Sequence, residues 1–287
     1  MPTLIDLRRR IKSVRNSQQI TQAMKTVSMA KFKKAQRRVF ESRPYWHVFP
    51  EVAARVAAVA GGEGHPLLAE RAEKRIEVMV VTSDKGLAGA FNSNLLLKAH
   101  AFIEGKAATA ETGLVLVGRK AVNSFKKCPY RVDRAYPDKV DKLSRGEIRD
   151  LAEFFMRRFV LCGTDAVYVV YNEFKSILSP RIIVLPLLPV RFPAAGEGGR
   201  PVAPDWDPEA AKLLEGVLPL YIESQIRHVL YESQASEQAA RMMAMDNATK
   251  NAEDLISDLV LLLNKIRQAN ITKELLEIMT AVEALAK

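Results

Sequence analysis

The segment of this sequence that comes nearest to a chemical motif is Ser83-Asp84-Lys85-Gly86-Leu87-Ala88-Gly89-Ala90-Phe91-Asn92. It follows a β-branched run and precedes a helical pattern, the place where α/β domains cradle phosphate on backbone amides. Its spacing does not suit that task. Neither G-x-G-x-x-G nor Gly-Lys-Ser/Thr is present, so the segment reads as a structural turn. The four histidines, His47, His65, His100 and His228, are scattered and fit no H-E-x-x-H pattern, and no G-x-S-x-G nucleophile elbow occurs. Cys128 and Cys162 stand far apart, outside any zinc-ligand spacing, and read as ordinary buried thiols of a reducing compartment. The expectation is a chain with no catalytic residues, no cofactor and no metal.

Charge is the next candidate for a working property. The formal net charge is +10, which by itself suggests a nucleic-acid partner. The whole excess sits in one segment: Arg8, Arg9, Arg10, Lys12, Arg15, Lys25, Lys31, Lys33, Lys34, Arg37, Arg38 and Arg43 face only Asp6 and Glu41. From Tyr221 to Lys287 the balance is slightly acidic, so the two ends would attract when laid side by side. Phe32 and Phe40 are too few among these charges to build a base-stacking platform.

Two long helices must carry these charges. No proline or glycine falls between Pro2 and Pro44, and Thr3 with Asp6 makes a helix-opening box, so the spacing predicts one helix of about 40 residues, roughly 60 Å long. Leu4, Leu7, Ile11 and Val14 form a coiled-coil seam. The strict frame then meets Gln18, Thr21, Lys25 and Ser28, while Ile20, Met24, Val27 and Ala30 form an apolar stripe on a shifted face; a drifting seam is expected. At the other end, Met245, Ala248, Ala252, Leu255, Leu259, Leu262, Ile266 and Ala269 keep a heptad frame. Asp207-Pro208-Glu209 is read as opening a preceding helical piece, and Gly216 with Pro219 as a break before the long helix that starts near Leu220. The two helices are expected to pair antiparallel, with the surplus of the second protruding beyond the first.

Between them, Arg75 to Thr82, Gly113 to Val117, Ala166 to Tyr171 and Ile182 to Leu185 are strand-like, and Asn94 to Ile103 and Ile148 to Phe159 are helix-like. This predicts an α/β class chain: a central Rossmann-like domain with a largely parallel sheet, inserted between terminal helices that form an antiparallel coiled coil. The expected division is 1–60 for the first helix, 61–205 for the central domain and 206–287 for the second helix. Gly61-Gly62-Glu63-Gly64 and Gly196 to Pro201 read as surface loops between them. No apolar run approaches the roughly 20 residues needed to cross a bilayer, and the first residues lack the features of a secretory or transit peptide.

Arg10 to Lys25 and Ser42-Arg43-Pro44-Tyr45 resemble the N-terminal helix of ATP synthase gamma subunits, and the turn at Ser83 to Gly89 is similar to that family's turn after its first strand. Met242 to Asn251 and Asn264 to Ile278 resemble the family's C-terminal pattern, with Ala281-Val282 replacing its usual Gly-Ala. The resemblance implies a non-catalytic central rotor stalk of an F-type, proton-translocating ATP synthase. Its implied partners are the alpha and beta subunits of the catalytic hexamer, the epsilon subunit and the c-ring. It also implies no nucleic acid, membrane association through the complex only, and a place at the cytoplasmic face of a bacterial plasma membrane. By the same resemblance, Met24, Lys25, Arg267 and Gln268 contact the moving acidic loop of beta, and Ile278, Met279, Val282 and Leu285 belong to an apolar bearing tip. Two other readings compete: a basic coiled-coil adaptor that binds nucleic acid through residues 8–43, and a Rossmann-like enzyme.

Overall fold

The computed structural model describes residues 3–60, 65–140, 143–177, 180–192 and 210–285. The two glycine-bearing loops and the Asp207-Pro208-Glu209 opening lie outside the described residues. Helix α1 spans Leu4–Val59 and helix α5 spans Ala210–Leu285. Between them run β1 (Arg75–Val81), α2 (Phe91–Ala107), β2 (Glu111–Val117), α3 (Arg119–Ser124), β3 (Arg131–Tyr136), α4 (Arg145–Val160), β4 (Ala166–Glu173) and β5 (Arg181–Leu188). The chain divides into two compact units: residues 1–28 with 242–287, and residues 29–241.

The larger unit is built on a five-stranded sheet of order β3-β2-β1-β4-β5. Strands β1 to β4 pair in parallel and β5 joins β4 antiparallel. Apolar side chains cover both faces, as a buried parallel sheet requires. On one face Ile76, Val78, Val80, Leu114 and Leu116 meet Leu95, Ala99 and Ile103 of α2. On the other, Met79, Val81, Val115, Val117 and Val169 meet Leu151, Phe155 and Phe159 of α4, joined by Ala53 and Val56 of α1 and by Leu218, Ile222 and Ile226 of α5.

That second layer corrects two helix boundaries. Helix α1 does not stop at Pro44, and α5 does not break at Gly216 and Pro219. A proline inside a helix forfeits one backbone hydrogen bond and crowds the preceding turn. Here the buried Ala53 and Val56 after Pro44, and Leu214, Leu218 and Ile222 around Pro219, offset that cost by keeping the helices continuous against the sheet. Strand β3 and helix α3 were not anticipated. Arg131-Val132-Asp133-Arg134-Ala135-Tyr136 is a charged edge strand with no apolar run to announce it.

The edge strand serves a buried acid pair. Glu77, in the middle of β1, is fully buried, and its carboxylate faces Asp133 of β3 across Gly113 of β2. A Cβ on Gly113 would lie 2.6 Å from Asp133 Oδ2 and 2.8 Å from Glu77 Oε1, so only glycine leaves room for both acids. Arg158 of α4 bridges them, with Nη2 3.0 Å from Glu77 and Nη1 2.8 Å from Asp133, and Arg131 lies 3.6 Å from Glu77. Burial, then the charge of Asp133, pushes the Glu77 carboxyl up to about 7 against the pull of the two arginines.

Candidate partner interface

The turn after β1 is filled by the protein's own groups. The Asp84 carboxylate accepts from the backbone N–H of Arg119 at 3.0 Å, of Asp138 at 2.9 Å and of Val140 at 3.1 Å. One of these amides opens α3 and the other two follow β3, and a carboxylate of the turn already occupies all three. Ser83 and Asn92 tie the two ends of the turn at 3.0 Å, and Arg241 of α5 donates to the carbonyls of Lys85 and Gly86 at 3.3 Å. The histidines have local roles: His65 accepts from the Leu67 N–H, His100 stacks on Phe125 and His228 stacks on Trp46. The side chain of His47 lies outside the described residues. Cys128 is half-buried, whereas Cys162, expected to be buried, is exposed. It follows the last turn of α4 with φ +54°, where the chain reverses toward β4 and leaves the thiol outside.

The smaller unit is a pair of antiparallel helix segments. Lys25 Nζ lies 2.6 Å from Asp246 Oδ1, the Thr21 and Thr249 hydroxyls meet at 2.8 Å, and Gln18 Nε2 donates to Glu253 Oε1 at 3.0 Å. As the number on α1 falls, the number on α5 rises by nearly the same step, which fixes both direction and register. At the far end Leu7 and Ile11 pack on Leu259, with Val14, Leu263 and Ile266 around them. Thr3 and Asp6 cap α1 reciprocally, Asp6 N–H donating to Thr3 Oγ1 at 3.2 Å.

This register overturns the expected drift. The strict frame of α1 continues through Gln18, Thr21, Lys25 and the buried Ser28, while Ile20 is 61% and Val27 57% exposed. The polar side chains win the seam because Gln18, Thr21 and Lys25 each meet a complementary group on α5, so they are half-buried with partners and cost little. On α5 the seam runs through Met245, Thr249, Ala252, Ile256, Leu259, Leu263 and Ile266, and the expected Leu255 and Leu262 turn outward. Asp246 accepts from Lys25 and from Lys250 at 3.0 Å, and these bonds hold its carboxyl below the usual range.

Beyond Ile266 the helix has no partner among the described residues. Every described side chain from Arg267 to Val282 is exposed, including Ile271, Leu275, Leu276, Ile278, Met279 and Val282. The side chain of Leu285 lies outside the described residues. Met24 is half-buried beside Lys25, and Arg267 and Gln268 are exposed. The structure does not bring these four together. Lys25 sits level with Asp246, and the 21 residues from there to Arg267 span roughly 30 Å of helix. The pairing residues Gln18, Thr21 and Thr249 went unassigned in the sequence; the unbroken 3-4 spacing of α1 was the signal that could have found them.

Long terminal helices paired antiparallel, a parallel-sheet insert and a self-filled turn define a class: an α/β protein organised for mechanical contact. The sequence profile of the family described as ATP synthase matches residues 3–285. The ATP synthase gamma chain of Pelotomaculum thermopropionicum is 44% identical over 285 residues, covering 99% of this chain and all of that protein. That of Desulforamulus reducens is 40% identical with the same coverage. In the solved central stalk and c-ring of Tetrahymena thermophila mitochondrial ATP synthase, one chain shares the fold at a TM-score of 0.63 and 24% identity, covering 80% of this chain and 99% of that one. The chain belongs to the ATP synthase gamma chain family, the non-catalytic rotor subunit in the central stalk of the F-type enzyme.

Proposed function

We propose that this chain transmits torque between a proton-driven c-ring and a hexamer of alpha and beta subunits, with the 1–60, 61–205 and 206–287 segments as its functional division. The observation that carries the reading is the unpartnered end of α5, where six large apolar side chains stand exposed on one helix. Such a surface needs a sleeve, and the proposed hexamer of alpha and beta subunits would supply one.

Within that sleeve, Ile278, Met279, Val282 and Leu285 act as the apolar bearing. Met24 with Lys25, and Arg267 with Gln268, are two contact stations for beta, set at different heights and so unable to serve one loop at once. Lys25 reaches its station already paired with Asp246, so a beta carboxylate there competes for an engaged ammonium. Arg267 has no ion-pair partner among the described residues and is the readier cation. Two helices of unequal exposure give three identical beta subunits three different surfaces, which biases them to different states. The epsilon subunit is the further partner proposed for the central domain. Among the described residues no helix is long and apolar enough to cross a membrane, and membrane association through the complex, at the cytoplasmic face, is part of the same proposal.

Co-expression with the cognate alpha and beta subunits tests this. A complex holding one copy of this chain, whose ATPase activity collapses when residues 3–30 and 264–287 are both deleted, is expected. A chain that stays apart from alpha and beta overturns the reading.

A further inference from the structure

A half-enclosed cavity of about 340 Å³ lies in the larger unit, where α1, the start of α4 and α5 meet. Its polar lining is Arg38, Arg145, Arg227, Tyr231 and Gln234, and no acidic residue lines it among the described residues. The buried Ile148 and Leu230 form part of its floor. Three guanidiniums from three elements thus converge on one space, a placement that only the tertiary structure creates.

The compensation around them is incomplete. Glu223, outside the lining, pairs with Arg227 and lies 3.7 Å from Arg145 Nε. Arg38 meets no carboxylate within ion-pair distance among the described residues, and its polar contact is a long one of 3.5 Å to Gln234 Oε1. One carboxylate therefore serves two of the three cations, and Arg38 is left without one among the described residues. Tyr231 stands beside Arg227 and Gln234 in the same lining. Like charges held together in a partly dry site repel unless an anion joins them.

We propose that this cavity binds a small diphosphate anion. The guanidinium fork matches phosphate oxygens in pairs, and three forks around one space suit a ligand with several anionic oxygens better than a single halide or carboxylate. The volume exceeds by about tenfold the roughly 30 Å³ that one water occupies in the liquid, so a diphosphate enters without displacing side chains. Tyr231 lines the same space and supplies a hydroxyl for an oxygen the arginines leave unpaired. Occupancy would tie α1, α4 and α5 together, and so stiffen the central domain where both long helices cross it.

The test is calorimetric titration of the full-length chain with pyrophosphate at fixed ionic strength, with sulfate as the matched control. One saturable site is expected, with Kd raised roughly tenfold or more in R38Q and R227Q. R145Q guards against loss of fold: that side chain is 81% exposed, so its replacement leaves the chain folded while weakening the site. R149Q, whose side chain pairs with Glu153 and does not line the cavity, should bind as the unaltered chain does. Absence of saturable heat with pyrophosphate, or equal affinity in R145Q and R149Q, overturns the proposal. So does binding of a polyglutamate peptide that pyrophosphate fails to displace, which would assign the arginines to an acidic protein partner.

Discussion

The two units of this chain hold themselves together by different means. Residues 29–241 bury two apolar layers on a five-stranded sheet, whereas the helix pair of residues 1–28 and 242–287 has one small apolar cluster around Leu7, Ile11 and Leu259 and elsewhere a seam that mixes polar pairs with a few apolar side chains such as Met245. Burial of apolar surface is the larger stabilising term, and net hydrogen bonds contribute about 1 kcal/mol each. The larger unit is therefore self-sufficient. The helix pair is specified in direction and register but held lightly, as suits a segment that finishes its burial inside another assembly.

The largest effect should come from breaking the self-sufficient side. Phe155 is fully buried beneath the sheet, so Phe155→Ala should cost about 3–5 kcal/mol in denaturant unfolding of the full-length chain. A loss no greater than that of Leu259→Ala would erase the contrast between the units.

Next is the buried acid pair, which makes the larger unit sensitive to pH. The folded-state value of Glu77, about 7, lies above the ordinary 4.5, so the native state holds an extra proton between them and stability falls as pH rises through that window. The loss from pH 5 to pH 8 should be roughly 3 kcal/mol, and Glu77→Gln should flatten it. The groups facing Glu77 are Asp133, Arg131 and Arg158. Unfolding midpoints at several pH values decide the matter, and an unchanged slope in the Gln variant would remove Glu77 as the cause.

On the lightly held side, Thr21→Val and Thr249→Val should each cost about 1 kcal/mol and show a coupling of about 0.5–1.5 kcal/mol in a double-mutant cycle. Additive losses would mean the two hydroxyls do not meet in solution. The smallest effect belongs to Lys25→Met. Its ion pair with Asp246 is partly solvated, so the unfolding midpoint of the isolated chain should hardly move, while ATPase activity of the assembled complex should fall if Lys25 is a contact station. Loss of isolated-chain stability with no change in activity would reverse that role.

Much of the architecture was legible from residue types. Val78 to Val81 and Ala166 to Tyr171 announce buried strands by β-branched runs, and the absence of glycine through most of α1 and α5 announces long helices. Edge strand β3 was not legible, because Arg131 and Asp133 are there for a buried glutamate on another strand and Arg134 for the ring of Phe154. Of the candidate contact residues, the sequence supplied identities only through resemblance. Their separation into two levels, roughly 30 Å apart, required the register of the helix pair.

Sequence by itself determined the class of the chain, the length and polarity of its two terminal helices and the apolar character of the α5 end, because these depend on local period and composition. Tertiary structure alone decided which face of each helix turns inward. A period of 3.5 residues is carried equally well by Ile20 and Val27 or by Thr21 and Ser28, and the choice fell to the polar set because Thr249, Asp246 and Glu253 stood opposite to pair with their neighbours. The prolines follow the same logic: their local cost is fixed in the sequence, but whether a helix stops or continues depends on what its next turn can bury, which no single segment contains.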